Sequence, residues 1–208
     1  MSRIEVSDLV IPAFHDVLGD VMCHGHSHYW MHGGRGSTKS SFISVAILMV
    51  LLVHEDANAV VIRRFSNTLR DSAYEQVQWA IAELGLERYF RARVSPMELT
   101  YLPTGQRIVF RGADDPLKLK GTKFGHGYAA VVWFEELDQF DGIHPRRPWT
   151  GCSSPCFASW LVAGLGEGVL ASCGPLVFGC WPYAREAACR GDTLMLAKNV
   201  TNGIEWSG

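Results

Sequence analysis

Apolar positions along the chain fall into compact runs separated by polar, glycine-containing stretches. Tyr29 to Met31 is a short apolar segment that reads as a first strand. Phe42 to Val53 is apolar on every side and reads as a buried helix. Ala57 to Ile62 is a compact β-branched run, the signature of a buried strand. Leu69, Ala73, Val77, Ala80, Ile81 and Leu84 recur at three- and four-residue spacing. That spacing predicts one long helix from Thr68 to Leu84 with an apolar face, and Gly85 as its C-terminal cap. Glu98 to Leu102 and Arg107 to Phe110 flank Pro103-Thr104-Gly105-Gln106 and read as a β-hairpin. Tyr128 to Phe134 is the strongest buried-strand signal in the chain. Ahead of these, Arg3 to Asp20 reads as a loop followed by a short amphipathic helix around His15 to Leu18.

Between the first strand and the buried helix lies Gly33-Gly34-Arg35-Gly36-Ser37-Thr38-Lys39-Ser40. Strand, glycine loop and helix in that order form a phosphate-binding loop. Glycines let successive N–H groups point into one concavity, and the helix presents its positive dipole end to the same spot. Lys39 can reach the β- and γ-phosphates of a nucleotide, and the Ser40 hydroxyl can coordinate Mg²⁺. The usual pattern is G-x-x-x-x-G-K-[ST]; here Thr38 stands where the second glycine belongs.

The strand at Tyr128 to Phe134 ends in Glu135-Glu136. Two carboxylates at the end of a buried strand are costly unless used. Glu135 can hold the Mg²⁺ hydration shell, and Glu136 can orient and polarise an attacking water. Loop and paired acids together point to nucleotide hydrolysis. Arg63 and Arg64 follow a buried strand directly, at the end where parallel sheets bind ligands, and read either as phosphate or DNA contacts or as a solvated pair. Leu117 to Gly125 is the most basic short stretch and a candidate for phosphate-backbone contact or a solvated loop. Phe14 or Tyr29 could stack on an adenine, although core packing is the stronger expectation. Cys23, His24, His26, His28 and His32 match no common zinc spacing and read as the approach to the first strand.

The 208 residues suit one sizeable α/β domain, or one domain plus an appendage. A net charge of −2 gives no whole-chain nucleic-acid signature. Met1 to Asp8 lacks a signal peptide, and the run Phe42 to Val53 is too short to span a bilayer, so a reduced cytoplasmic setting without a membrane is expected.

In their order, these landmarks resemble the large terminase subunit of tailed double-stranded DNA phages and prophages, in particular the prophage-type branch. The resemblance rests on Tyr29 through Phe42, Val60-Val61-Ile62-Arg63-Arg64, Leu69-Arg70-Asp71-Ser72, Gly105 to Gly112, Leu119-Lys120-Gly121 and Val132-Trp133-Phe134-Glu135-Glu136-Leu137. It covers roughly residues 8 to 141. It implies an α/β P-loop ATPase with a mostly parallel central sheet flanked by helices, which would dock as a homo-oligomeric ring on a portal protein in the bacterial host cytoplasm. ATP hydrolysis would then pump double-stranded DNA into a procapsid, with a small terminase subunit recognising the DNA. Carried over to this sequence, Gly33 through Ser40 bind ATP, Ser40 and Glu135 hold Mg²⁺, and Lys39, Glu135 and Glu136 are catalytic. Arg35, Arg63, Arg64 and Arg70 are candidates for the arginine finger that phosphoryl transfer calls for. The other readings are a different P-loop ATPase acting on DNA, or a non-catalytic prophage remnant that binds terminase partners.

After Asp141-Gly142 the character changes. Five of the six cysteines lie beyond residue 150, and no lysine occurs between Lys123 and Lys198. Neither the coupling motif nor the nuclease acids expected of the family are found there. Residues 142–208 therefore read as an atypical Cys/Gly/Trp-rich tail, produced by a frameshift in a decaying prophage gene. The competing reading is a small appendage using Cys152, Cys156, Cys173, Cys180 and Cys189 for zinc. The frameshift reading implies a sheet incomplete on its C-terminal side, no nuclease activity, and weak ATP binding and turnover by the isolated chain.

Overall fold

The computed structural model describes residues 5–32, 36–114, 122–140, 176–181, 193–199 and 203–207. Two short helices, α1 (Val6–Leu9) and α2 (His15–Met22), lead into strand β1 (His28–His32). Helix α3 (Lys39–Val53) and strand β2 (Ala57–Arg63) follow. Beyond helix α4 (Glu75–Glu83) come β3 (Phe90–Val94), β4 (Met97–Tyr101), β5 (Arg107–Gly112) and β6 (Tyr128–Phe134). Strands β7 (Leu176–Trp181), β8 (Thr193–Asn199) and β9 (Gly203–Ser207) complete the described elements.

All the described strands join one sheet in the order β3-β4-β5-β2-β6-β7-β1-β8-β9. The pairings from β5 across to β8 are parallel, and the two flanks, β3-β4-β5 and β8-β9, are antiparallel. This is the mostly parallel α/β sheet expected. The predicted edge beside β6 is taken by β7, so the paired-acid strand has neighbours on both sides. The change of character after residue 141 falls mainly outside the described residues.

Both faces of the central strands are buried, which is why they read as continuous apolar runs rather than alternating ones. On the helix side, Tyr29, Met31, Ala59, Val61, Val131, Trp133 and Phe178 share a core with Phe42, Ile43 and Ile47 of α3. On the other face Trp30, Val60, Ile62, Val132 and Phe134 are at most 1% exposed. Helix α3 therefore needs no polar stripe. Its buried Ser44 donates its hydroxyl to the Ser40 carbonyl, 2.8 Å away, so the polar group is satisfied.

The predicted helix from Thr68 to Leu84 is broken. A 3₁₀ turn, Ser66–Thr68, and one turn of π-helix, Arg70–Tyr74, precede α4, with Asp71 at φ −85°, ψ 15°. The apolar period continues through the irregularity, so periodicity alone does not reveal it. Gly85 caps α4 as expected, at φ +64°, with the Leu86 N–H donating to the Ile81 carbonyl.

The β4–β5 turn does more than reverse the chain. Gln106 is 1% exposed, and its amide nitrogen donates to the carbonyls of Leu51, His54 and Ala57 at 2.7–2.9 Å. One side chain thus serves the C-terminal end of α3 and the start of β2. Replacing it with leucine strands buried carbonyls. The expected cost is about 1–3 kcal/mol, read as a lower urea midpoint with unchanged m-value.

Candidate active site

The phosphate loop joins the end of β1 to the start of α3. Gly33, Gly34 and Arg35 lie outside the described residues. Gly36 has φ +75°, and Ser37 is 4% exposed. Thr38 is the N-cap of α3 at φ +59°, ψ 11°, squarely in the left-handed region. This explains why the usual pattern has glycine there. A β-branched side chain at positive φ costs roughly 1–2 kcal/mol, and the Thr38 hydroxyl donates to the Ser37 carbonyl at 2.7 Å. Thr38→Gly is expected to remove that strain and raise stability by up to about 1 kcal/mol, measured as a higher thermal midpoint.

Lys39 opens the helix and its ammonium donates to the Ser37 hydroxyl. Ser40, one residue on, donates to both carboxylate oxygens of Glu135, at 3.1 and 3.3 Å. The loop hydroxyl and the first of the paired acids thus meet across the gap between α3 and the end of β6. Both are hard oxygen donors at the positive end of a helix, the donor chemistry that suits Mg²⁺ bound with a nucleotide.

Glu135 keeps β6 paired with β2 for one residue beyond the strand, its N–H donating to the Ile62 carbonyl at 2.9 Å. Glu136 then turns sharply, at φ +53°. The turn brings its carboxylate to Arg63 at the end of β2, whose guanidinium pairs with it and also donates to the Thr68 carbonyl at 3.2 Å. The Gln139 amide donates to the same Glu136 oxygen. Arg64 donates to the Gln139 carbonyl at 2.6 Å. Both arginines therefore lie at the strand end and are bound to the turn after β6. The solvated-pair reading does not hold for them. The exposed Arg70 lies in the π turn, two residues after Thr68, and Arg35 lies outside the described residues.

The two aromatics considered for adenine stacking are core residues. Phe14 is 2% exposed and stacks on Phe42, ring centroids 4.7 Å apart. Tyr29 stacks on Phe178, and its hydroxyl donates to Asp20 at 2.6 Å. Burial first, and then the Asp20 hydrogen bond, push the Tyr29 phenol well above the ordinary tyrosine range. His26 also bonds Asp20, at 2.8 Å, so this group braces the approach to β1. The strand begins only at His28, which leaves His24 and His26 off its face.

A family model described as phage terminase large subunit matches residues 25–144. The chain belongs to the phage terminase large subunit family. The large terminase subunit of Bacillus phage SPP1 is 36% identical over 140 residues, 67% of this chain and 33% of that protein. The PBSX phage terminase large subunit of Bacillus subtilis is 36% identical over 113 residues, 54% of this chain and 25% of that protein. This terminase chain thus spans a third or less of the length of these curated relatives. Among solved structures, the N-terminal domain of the DNA packaging ATPase from bacteriophage phi29 superposes with a TM-score of 0.58. That match has 10% identity and covers 91% of this chain and 95% of that one, a likeness of fold. In this terminase chain the sequence reading put Lys39 at the start of a helix and Glu135-Glu136 directly after a strand, and the structure has them there. It did not foresee that Gln139 and the Thr68 carbonyl share the Glu136–Arg63 contact. The one available signal was that two arginines and two acids both sit at strand ends.

Proposed function

We propose that this chain is the ATP-hydrolysing motor module of a terminase large subunit, and that its hydrolysis drives double-stranded DNA into a procapsid. The observation that carries the reading is the meeting of Ser40 with Glu135, beside Lys39 at the start of α3 and with Glu136 next in sequence. A nucleotide phosphate chain at this helix end is met by backbone N–H groups, the Lys39 ammonium and the helix dipole. Mg²⁺ held by Ser40 and Glu135 supplies charge neutralisation at the phosphate oxygens when bound. Glu136 accepts a proton from the attacking water, with Arg63 and Gln139 fixing its direction. Arg63 and Arg64, bound to the turn that carries Glu136, remain candidates for the positive charge that phosphoryl transfer needs at the γ-phosphate.

The same reading assigns the setting to the bacterial host cytoplasm and the partners to double-stranded DNA, a portal protein, a small terminase subunit and further copies of the chain in a ring. Among the described residues, no helix is long and apolar enough to cross a membrane. The reading also takes residues 142–208 as a separate stretch; the family match ends at residue 144, yet β7, β8 and β9 join the same sheet as β1 and β6.

A second reading, nucleotide binding without turnover, is favoured by one observation: the Glu136 carboxylate is engaged by both Arg63 and Gln139. Measuring ATP binding and ATP turnover separately divides the two. The motor reading expects Mg²⁺-dependent binding and turnover, both lost in Lys39→Ala. Binding without any turnover would favour the second reading, and turnover that survives Lys39→Ala would overturn the site.

A further inference from the structure

In the flank β3-β4-β5, strand β3 is exposed from Arg91 to Val94, whereas β4 and β5 are largely buried. The register places Ala92, Leu99 and Ile108 side by side, with Leu99 and Ile108 in the core and Ala92 exposed. By alternation, Arg91 and Arg93 of β3 share the other face with Glu98 and Thr100 of β4 and with Arg107, the buried Val109 and the half-buried Arg111 of β5, so the fully exposed cations of this face are those of β3. Glu98 is the one acid among these strand positions. Its carboxylate is 10% exposed and is approached by Arg93 at 3.2 Å and Arg107 at 3.5 Å. Arg107 also donates to the Lys123 carbonyl at 2.6 Å and lies over the Phe124 ring, which brings the end of the basic stretch picked out from the sequence onto this face. Lys123 itself is exposed.

A single carboxylate neutralises one of these cations. A folding role accounts for Arg93 and Arg107, because Glu98 needs them. It does not account for Arg91, which is exposed and has no acidic partner among the described residues, nor for Lys123. We propose that this face of β3-β4-β5, with Lys123 at its border, is a contact surface for the phosphate backbone of duplex DNA. The inference rests on the motor reading for the identity of the polyanion. Residues two apart on a strand are about 6.8 Å apart, twice the roughly 3.4 Å axial spacing of charges along one DNA strand. Phosphates also wind around the axis, so neighbours on one strand lie farther apart than this rise; Arg91 and Arg93 are spaced to meet neighbouring phosphates, and guanidinium forks suit phosphate oxygens. The recognition is of backbone charge and carries no base readout.

The test is fluorescence anisotropy of a labelled random-sequence duplex of about 30 base pairs, titrated with the full chain across a salt series. Arg91→Glu with Lys123→Glu alters only exposed side chains. It is expected to weaken binding by about tenfold or more and to flatten the log–log salt slope by about 1.8, the value for two lost phosphate contacts. Arg91→Lys with Lys123→Arg keeps the charge and is expected to keep the affinity within about threefold. Unchanged duplex affinity and slope in the charge-reversed chain overturns the proposal. So does equal weakening in the charge-conserving chain, or no duplex binding by the native chain. Loss of self-association with duplex affinity intact assigns the face to contacts between copies and overturns it as well. ATP binding is measured on the same samples and is expected to be unchanged. If the native chain binds no ATP yet charge reversal weakens its duplex binding, the motor reading fails and this one stands.

Discussion

Replacing Glu136 with glutamine is expected to lower ATP turnover by at least about 100-fold while leaving ATP affinity within a few-fold of the native chain. The two halves of that expectation have separate causes. Binding depends on the start of α3, on Lys39 and on the Ser40–Glu135 pair, none of which Glu136 touches in the described contacts. Turnover depends on a carboxylate that can take a proton from water. The amide keeps the size and the contacts to Arg63 and Gln139 but cannot accept that proton. The backbone at Glu136 is held at φ +53°, a conformation that costs about 1–3 kcal/mol and persists where neighbours over-determine it. Arg63 and Gln139 are those neighbours. Single-turnover hydrolysis and equilibrium binding of a fluorescent ATP analogue give the two quantities. Native-like turnover in Glu136→Gln would mean that another group is the base.

The second large effect concerns Ser40 and Glu135. Glu135→Gln is expected to reduce turnover by about 100-fold or more and to weaken the response of ATP binding to Mg²⁺. Ser40→Ala is expected to act in the same direction with a smaller loss, because it removes one neutral ligand rather than a charge. The decisive comparison is the double variant. The two side chains form one unit at 3.1 Å, so their effects on turnover should fall well short of multiplying, with a coupling of about 0.5–3 kcal/mol. Full multiplicativity would show that they act independently and that the observed hydrogen bond has no role in the site.

What could be read from the sequence follows the physics of each signal. The strand ending in Glu135-Glu136 was legible because burial on both faces demands an unbroken apolar run, and the acids break it abruptly. The phosphate loop was legible because few other purposes need glycines, a lysine and a hydroxyl in that order between a strand and a helix. Strand β3 was not legible. Phe90-Arg-Ala-Arg-Val is exposed at every position after Phe90, so the run lacks the buried apolar positions that mark a strand in sequence. The break in the helix before α4 was hidden for the opposite reason. A π turn shifts the register by a fraction of a turn, and the apolar face survives it. At the site, Thr38 departed from the glycine pattern in sequence, yet the backbone there adopts the glycine-like conformation. At Thr38 the backbone required at the start of α3 overrides the preference of the residue.

Helix α3 joins the phosphate loop to the β4–β5 turn. Its first residue is Lys39, and its last turn is fastened through Gln106 to the β4–β5 turn. Fifteen helical residues form a rod about 22 Å long. It is packed on several sides and free of proline and glycine, so it transmits a push without bending. Were the phosphate loop to shift as a nucleotide enters or leaves, α3 is the element that would link that shift to the β4–β5 turn at the far end of the rod. That turn carries the two strands that bear Glu98, Arg107 and Arg111. The fold thus contains a stiff lever between the place where chemical energy would be released and the arginine-bearing edge of the sheet, with Gln106 as the pin that keeps the two ends in gear.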